Sequence, residues 1–216
     1  MIIAIDGPAG SGKSTISARL AAALGYQLID TGALYRCVAL KGIRLALDLS
    51  DGVALGKVAA GMQVRFRFED GRNRVFLDGD DVTDAIRTAE AGAGASRVAS
   101  HPEVRAALLG VQRQLGRAHD SVMEGRDIGT VVFPDADRKV YLTASLDERA
   151  RRRWAEFGVE LPLEEVKRQI QERDERDMNR SVAPLVQASD AVLVDTTGLG
   201  LDEVVAELKR IVSLPG

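Results

Sequence analysis

The sequence predicts an α/β fold: a five-stranded parallel sheet flanked by helices, with a small antiparallel sheet inserted in mid-chain. Three observations predict it. Residues 1–23 read as strand, Gly-rich loop and helix in direct succession. Four further short apolar runs, Gln27–Asp30, Ser121–Glu124, Lys139–Thr143 and Ala191–Asp195, alternate with helical stretches, the pattern of repeated strand–helix units. In the middle, Val64, Phe66 and Phe68 alternate with Arg65 and Arg67, the period of two that marks a half-buried antiparallel strand.

The first strand is Ile2-Ile3-Ala4-Ile5, apolar and β-branched as a buried strand requires. Gly7-Pro8-Ala9-Gly10-Ser11-Gly12-Lys13-Ser14 follows, an intact G-x-x-x-x-G-K-[ST] loop, then Thr15 and an Ala/Leu-rich helix that stops near Gly25. Glycines let backbone N–H groups converge on phosphate oxygens, and the helix N-terminus adds partial positive charge. Lys13 has the reach for β- and γ-phosphates, and the Ser14 hydroxyl is the Mg²⁺ ligand of such a loop. A Gly-rich turn that merely caps a helix is the plainer reading. The intact motif, in the strand–loop–helix context the chemistry needs, argues against it.

Composition sets bounds. A chain of 216 residues buries a substantial core, as one domain with insertions. Net charge is −3 and the isoelectric point about 5.5, which excludes a general polyanion-binding surface and with it a nucleic-acid partner. Subtracting the six lysines from the 29 basic residues leaves 23 arginines, suited to bidentate phosphate recognition, although an Arg-favouring genome gives the same total. The single cysteine, Cys37, allows no internal disulfide or Cys-based zinc site and reads as a small core hydrophobe. His101 and His119 read as structural or surface residues. No signal peptide or membrane-length apolar run is present, which points to the cytoplasm and no membrane association.

After the second strand, Asp30 or Thr31 caps a helix expected from Ala33 to about Leu47, carrying Tyr35 and Arg36 near the strand ends where α/β proteins bind ligands. Tyr35 in the core and Arg36 in solvent is the competing reading. The inserted sheet runs through a turn at Glu69–Asn73, returns along Val75-Phe76-Leu77, and adds a third short strand near Gly79–Val82. A helical stretch follows from about Asp84 to Ala99. Ser100-His101-Pro102-Glu103 then has capping-box spacing for a helix to about Ala118. Gly125-Arg126-Asp127-Ile128-Gly129 ends the next core strand as a site-like loop, where a structural ion pair would look the same. Ser145 to Glu148 again has capping-box spacing and opens a helix with Arg149, Arg151, Arg152 and Arg153, of which at least one is expected to face a site rather than solvent. A turn spans Phe157–Pro162. The helix from about Pro162 to Asn179 leads into Arg173, Asp177 and Arg180, spaced i, i+4, i+7 on one helix face, a spacing a surface salt-bridge ladder shares. A last helix runs from about Leu201 to Val212.

Together these stretches resemble the bacterial cytidylate kinases, the CMP kinases of the nucleoside monophosphate kinase family. IDGPAGSGKST, DTGALYR, IRT, EGRDIGTVVFPDA, ERARRR and ERDERDMNRSVAPL stand in the family's order and spacing over essentially the whole chain. The loop motif alone says only NTP binding; DTGALYR, GRDIGT and the RDxxD-type helix are far more specific. The resemblance implies the nucleoside monophosphate kinase fold and the reaction ATP + CMP ⇌ ADP + CDP, with dCMP also accepted. It implies Mg²⁺ dependence, nucleotides as the partners and a monomer. It further implies one domain: a core of 1–30, 119–148 and 178–216, an acceptor-binding region with the insert over 31–118, and a lid at about 149–177.

Residue roles follow from the same resemblance. Gly7 to Thr15 would hold ATP, with Ser14 on the metal. Thr31, Tyr35 and Arg36 would line the acceptor site, Arg36 on the CMP phosphate. Ser96, Arg105 and Asp127 would face cytosine. Lys13, Arg126, Arg36 and Arg153 would stabilise the transferring phosphoryl group. Arg173 and Asp177 would meet ribose and phosphate beside Arg180, and Arg149 and Arg152, with Arg153, would begin the lid on the ATP side. Thr31 stands where some members have Ser, and Met178 where some carry Arg. Phosphoryl transfer needs positioned cations and little covalent chemistry, so no Ser, Cys or His nucleophile is expected. The alternatives are another small P-loop kinase, acting on UMP, AMP or a metabolite such as shikimate, and a GTPase-like switch. The inserted sheet and GRDIGT argue against the first, and the second lacks its N-K-x-D motif.

Overall fold

The structure is a computed structural model that describes residues 1–69, 72–157 and 161–213. In chain order the elements are β1 (Ile2–Asp6), α1 (Lys13–Leu24), β2 (Gln27–Asp30), α2 (Thr31–Arg44), α3 (Gly52–Gly61), β3 (Val64–Glu69), β4 (Arg72–Leu77) and β5 (Asp80–Asp81). A 3-10 turn (Ala85–Arg87), α4 (Ala89–Val98), α5 (Pro102–Ala118) and β6 (Ser121–Gly125) follow. A π-helical turn (Ile128–Val132), β7 (Arg138–Thr143), α6 (Leu146–Phe157), α7 (Leu163–Asn179), β8 (Val192–Asp195) and α8 (Leu201–Ser213) complete the chain. It divides into two compact units, Met1–Leu28 with Gly116–Gly216, and Ile29–Leu115.

The first unit is built on the parallel sheet, whose strand order is β2-β6-β1-β7-β8. In the parallel register Asp6 lies beside Gly125 of β6 and Tyr141 of β7. The loops that leave the C-terminal ends of β1 and β6, one starting at Gly7 and one at Arg126, therefore start side by side, the arrangement in which open α/β sheets bind ligands. Central β1 is apolar because it is covered on both faces. Ile3 and Ile5 pack with Ile16 and Leu20 of α1 and with Val204, Leu208 and Ile211 of α8, whose spacing is one helical stripe.

The second unit carries the antiparallel sheet β3-β4-β5, paired from Val64 beside Leu77 to Glu69 beside Arg72. Helix α2 buries residues toward two clusters. Ala33 and Cys37 meet Val75, Leu77, Val82 and Ile86, while Leu34 and Val38 meet Leu55, Val98, Val104 and Leu108. Burial pushes the Cys37 thiol up to about 12, so it is an inert core side chain.

Local expectations differ from the structure at four places. Helix α3 was not expected from GVALGKVAAG, where three glycines count against a helix. It forms because Asp51 accepts from the Ala54 N–H (2.9 Å) and Leu55, Val58 and Ala59 are buried. The stretch expected to be helical from Asp84 to Ala99 is interrupted at Thr88, which caps α4 through the Ala91 N–H (3.1 Å). Ser100 makes no capping box: its hydroxyl donates back to the Arg97 carbonyl (2.6 Å), and Pro102 opens α5 with its fixed φ. Helix α2 begins at Thr31, because Asp30 is the cap and accepts from the Ala33 N–H (3.1 Å). The expected turns at Glu69–Asn73 and Phe157–Pro162 include residues 70–71 and 158–160, outside the described residues. Among the described residues no helix is long and apolar enough to cross a membrane.

Candidate active site

In the first unit the Gly-rich loop lies tight against the sheet. Gly7 has φ +152°, and a Cβ there would stand 2.0 Å from the Leu142 carbonyl oxygen, so only glycine fits. Lys13 is 6% exposed; its ammonium donates to the Pro8 carbonyl (2.7 Å) and to Ser11 Oγ (3.1 Å). Burial, followed by the nearby charges of Arg126 and Arg173, pulls the Lys13 ammonium well below the usual lysine range, with Glu124 and Asp174 opposing. Ser14 Oγ donates to Glu124 Oε2 (3.0 Å), so a hydroxyl and a carboxylate oxygen stand together on α1 and β6. Hard oxygen donors of this kind fit Mg²⁺. No cluster of three or more His, Cys, Asp or Glu suited to a metal occurs among the described residues.

The arginines divide by environment. Arg126 Nε donates to Asp177 Oδ2 (3.0 Å) and Nη1 to the Gly125 carbonyl (3.2 Å). Against burial, which would raise it, Arg126, Arg173 and Arg180 hold the Asp177 carboxyl below the usual range. Asp127 lies 3.5 Å from Arg180 Nη2, with both side chains buried. Arg180 is not the third member of a helix face: α7 ends at Asn179, and Arg180 is its extended C-cap (ψ 144°), which turns the guanidinium to Asp127. On α6, Arg152 donates to Thr196 Oγ1 (2.9 Å) and to the Thr196 carbonyl (2.7 Å), Arg153 lies 3.6 Å from Glu156, and Arg151 points outward. Arg149 alone of the four is fully buried, against the Gly-rich loop and Asp174.

In the second unit Thr31, Tyr35, Ser96 and Arg105 are all buried, on α2, α4 and α5. The Arg105 guanidinium lies 5.5 Å from the Tyr35 ring centroid and donates to the Ala99 carbonyl (3.3 Å), and Gln112 Nε2 donates to Tyr35 Oη (3.5 Å). Arg36 Nη1 donates to the capping carboxylate of Asp30 (3.4 Å). Of the five residues of this unit named from the sequence, Tyr35 and Arg105 are in direct contact.

A family model described as cytidylate kinase matches residues 3–214. The chain belongs to the cytidylate kinase family. A cytidylate kinase of Symbiobacterium thermophilum is 50% identical over 214 residues, 97% of this chain and 95% of its own. One from Syntrophotalea carbinolica is 48% identical over 216 residues, 99% of this chain and 92% of its own. Among solved structures, an uncharacterized protein from Eubacterium ventriosum aligns at a TM-score of 0.56 over 98% of this chain and 97% of its own; at 12% identity that likeness is one of fold.

Three acidic residues at the site of this family member escaped the sequence reading: Asp6, Glu124 and Asp174. Asp6 ends β1, and its two carboxylate oxygens accept the Ile128 and Gly129 N–H groups (both 2.8 Å), which fastens the loop of Arg126 and Asp127 to the base of the Gly-rich loop. Its only sequence signal is its place between a strand and Gly7. Burial pushes the Asp6 carboxyl up to about 6, despite those two hydrogen bonds. A raised carboxyl pKa means that the fold binds the proton more tightly than the unfolded chain. Asp6 therefore costs stability as pH rises from about 4 to 6, by on the order of 3 kcal/mol once ionised. Urea melts of wild type and Asp6→Asn between pH 4 and 7 are expected to diverge over that interval, with the wild type losing stability relative to the variant. A difference that does not change with pH refutes it.

Proposed function

We propose that the chain transfers the γ-phosphoryl group of ATP to CMP or dCMP, giving ADP and CDP or dCDP, as a Mg²⁺-dependent cytoplasmic monomer of pyrimidine nucleotide metabolism. Family membership supports the reaction class. The observation in the molecule that carries the reading is the charge at the Gly-rich loop: burial disfavours the Lys13 ammonium, and the nearby Arg126 and Arg173 add to that against Glu124 and Asp174. Cations gathered against their own repulsion suit an occupant with several negative charges, which a bound triphosphate supplies.

In this reading Gly7 to Thr15 hold the phosphates of ATP, and Lys13 neutralises the β- and γ-oxygens as the bond to the leaving group lengthens. Arg126, kept charged and aimed by Asp177, stabilises the charge spread over the transferring group, and Arg36 and Arg153 are the further cations proposed for that step. Ser14 and Glu124 would hold Mg²⁺, which when bound neutralises phosphate charge. No proton-abstracting base is needed, because the acceptor phosphate is already an oxyanion at neutral pH. Arg152 belongs to the ATP side, a role with the lid over 149–177. For the acceptor the residues proposed are Thr31, Tyr35, Arg36, Ser96, Arg105, Asp127, Arg173, Asp177 and Arg180. Cytosine is read by a carboxylate accepting from its 4-amino group, for which Asp127 is suited, and by arginine donors to O2 and N3, for which Arg105 is suited.

An ADP-release assay against CMP, dCMP, UMP and AMP tests this. CMP and dCMP are expected to exceed UMP by roughly 10²-fold in kcat/KM, the scale of a buried mismatched hydrogen bond. Asp127→Asn, whose amide can donate to the uracil O4, is expected to narrow that ratio. Equal rates with all four acceptors, or none with CMP, would refute the reading.

A further inference from the structure

A buried ion pair in the first unit grips a single residue of the Gly-rich loop from both sides. Arg149 of α6 and Asp174 of α7 lie 2.5 Å apart (Nη1 to Oδ2), 8% and 4% exposed. The other carboxylate oxygen of Asp174 accepts the Ala9 N–H (3.0 Å). Arg149 Nη1 donates to the Ala9 carbonyl (2.8 Å), while its Nε is fixed by the Ala144 carbonyl (3.0 Å). Both polar groups of Ala9 are therefore satisfied by side chains from two helices. The Ala9 methyl is enclosed by the same helices, in a cluster with Ala150 of α6 and Ile170 of α7. At the next residue, Gly10 (φ +74°), a Cβ would stand 3.1 Å from the Arg149 carbonyl oxygen, so the loop backbone lies directly on α6.

Burying such a pair costs desolvation that its own attraction barely repays, so its value lies in the geometry it imposes. Here that geometry is the turn of the loop. Ala9 follows Pro8, whose carbonyl accepts from Lys13, and precedes the glycines whose N–H groups would face phosphate. Asp174 is also the neighbour of Arg173 and lies three residues before Asp177, which aims Arg126. One helix, α7, thus holds the loop and the arginine partner at once.

We propose that Arg149 and Asp174 are a positioning pair that presets the Gly-rich loop for a triphosphate before nucleotide arrives, and that ties the loop's shape to α7. Arg149 is thereby assigned to the loop backbone and not to the nucleotide. The inference rests on the reading of this loop as the ATP site. Preorganisation of this kind lowers the cost of binding and so appears in the dissociation constant.

The test is ATP binding without an acceptor, by calorimetry, on wild type, Asp174→Asn and Arg149→Lys. The first variant keeps the shape and an acceptor for Ala9 but removes the charge. The second keeps a charge but not the two-carbonyl reach. Each is expected to raise the ATP Kd about tenfold in the folded protein. A purely structural pair would lower the melting temperature and the active fraction while leaving the Kd of the folded protein within twofold, and that result overturns the proposal. Should the variants not fold, hydrogen exchange on the nucleotide-free wild type decides: the Ala9 amide is expected to be protected, and exchange at the unprotected rate overturns the proposal. A wild-type chain that does not bind ATP overturns the ATP reading beneath it as well.

Discussion

Lys13→Ala is expected to lower turnover about 10³-fold or more while leaving the fold as stable as wild type or more so. The kinetic scale is that of removing one positioned charge from a transferring phosphoryl group. The stability expectation comes from the sign of the lysine's own shift. Burial, with Arg126 and Arg173 near it, lowers its proton affinity in the fold, so the ammonium holds its proton less tightly there than in the unfolded chain. Removing it removes that cost. The Pro8 carbonyl keeps a donor, because Ser11 Oγ also reaches it at 3.1 Å. Thermal melts and steady-state kinetics on the same preparations check both halves. A variant that is well folded and nearly fully active contradicts the role of the loop; one that is strongly destabilised contradicts the electrostatic reading of Lys13.

Asp177→Ala is expected to cost about 3–5 kcal/mol of stability at pH 7, the range for breaking a buried ion pair by deleting one partner. The Asp177 side chain is buried against Arg126 at 3.0 Å, and Arg173 and Arg180 share its field, so its loss leaves several cations facing one another. The pH dependence has a definite sign. The carboxyl is held below its ordinary value, so its contribution is complete above about pH 4 and is lost as pH falls through the lower folded value. The gap between wild type and variant in urea melts should therefore shrink in acid. Asp177→Asn, which can still accept from Arg126, should lose less. A loss under about 1 kcal/mol for Asp177→Ala at neutral pH would mean that the cluster is solvated enough to tolerate an unpaired arginine.

Much of the fold was legible because its signals are local. A β-branched run, a G-x-x-x-x-G-K-S loop and an Ala/Leu-rich stretch specify β1, the loop and α1 within two dozen residues, and Gly25 ends the helix where expected. The alternation from Val64 to Phe68 specified β3 for the same reason. Helix α3 was not legible, because its glycines speak against a helix locally and only the burial of Leu55 and Val58 makes one.

The site divides along the same line. Taken alone, the sequence determined which residue types would be present and which segments carry them: the loop lysine, the arginines of ERARRR and the Arg–Asp pairs of GRD and RDERD. The tertiary structure alone decided which arginine meets which carboxylate. Four arginines within five positions of α6 look alike in the sequence, yet one is buried on the loop and another points to solvent. Ala9 and Asp174 are 165 residues apart, and Asp6 and Gly129 are 123 apart. Periodicity records neighbours within a turn of helix or a step of strand. Partners at such separations are set by how β1, β6, α6 and α7 pack, and low dielectric then makes each buried charge depend on the one it meets.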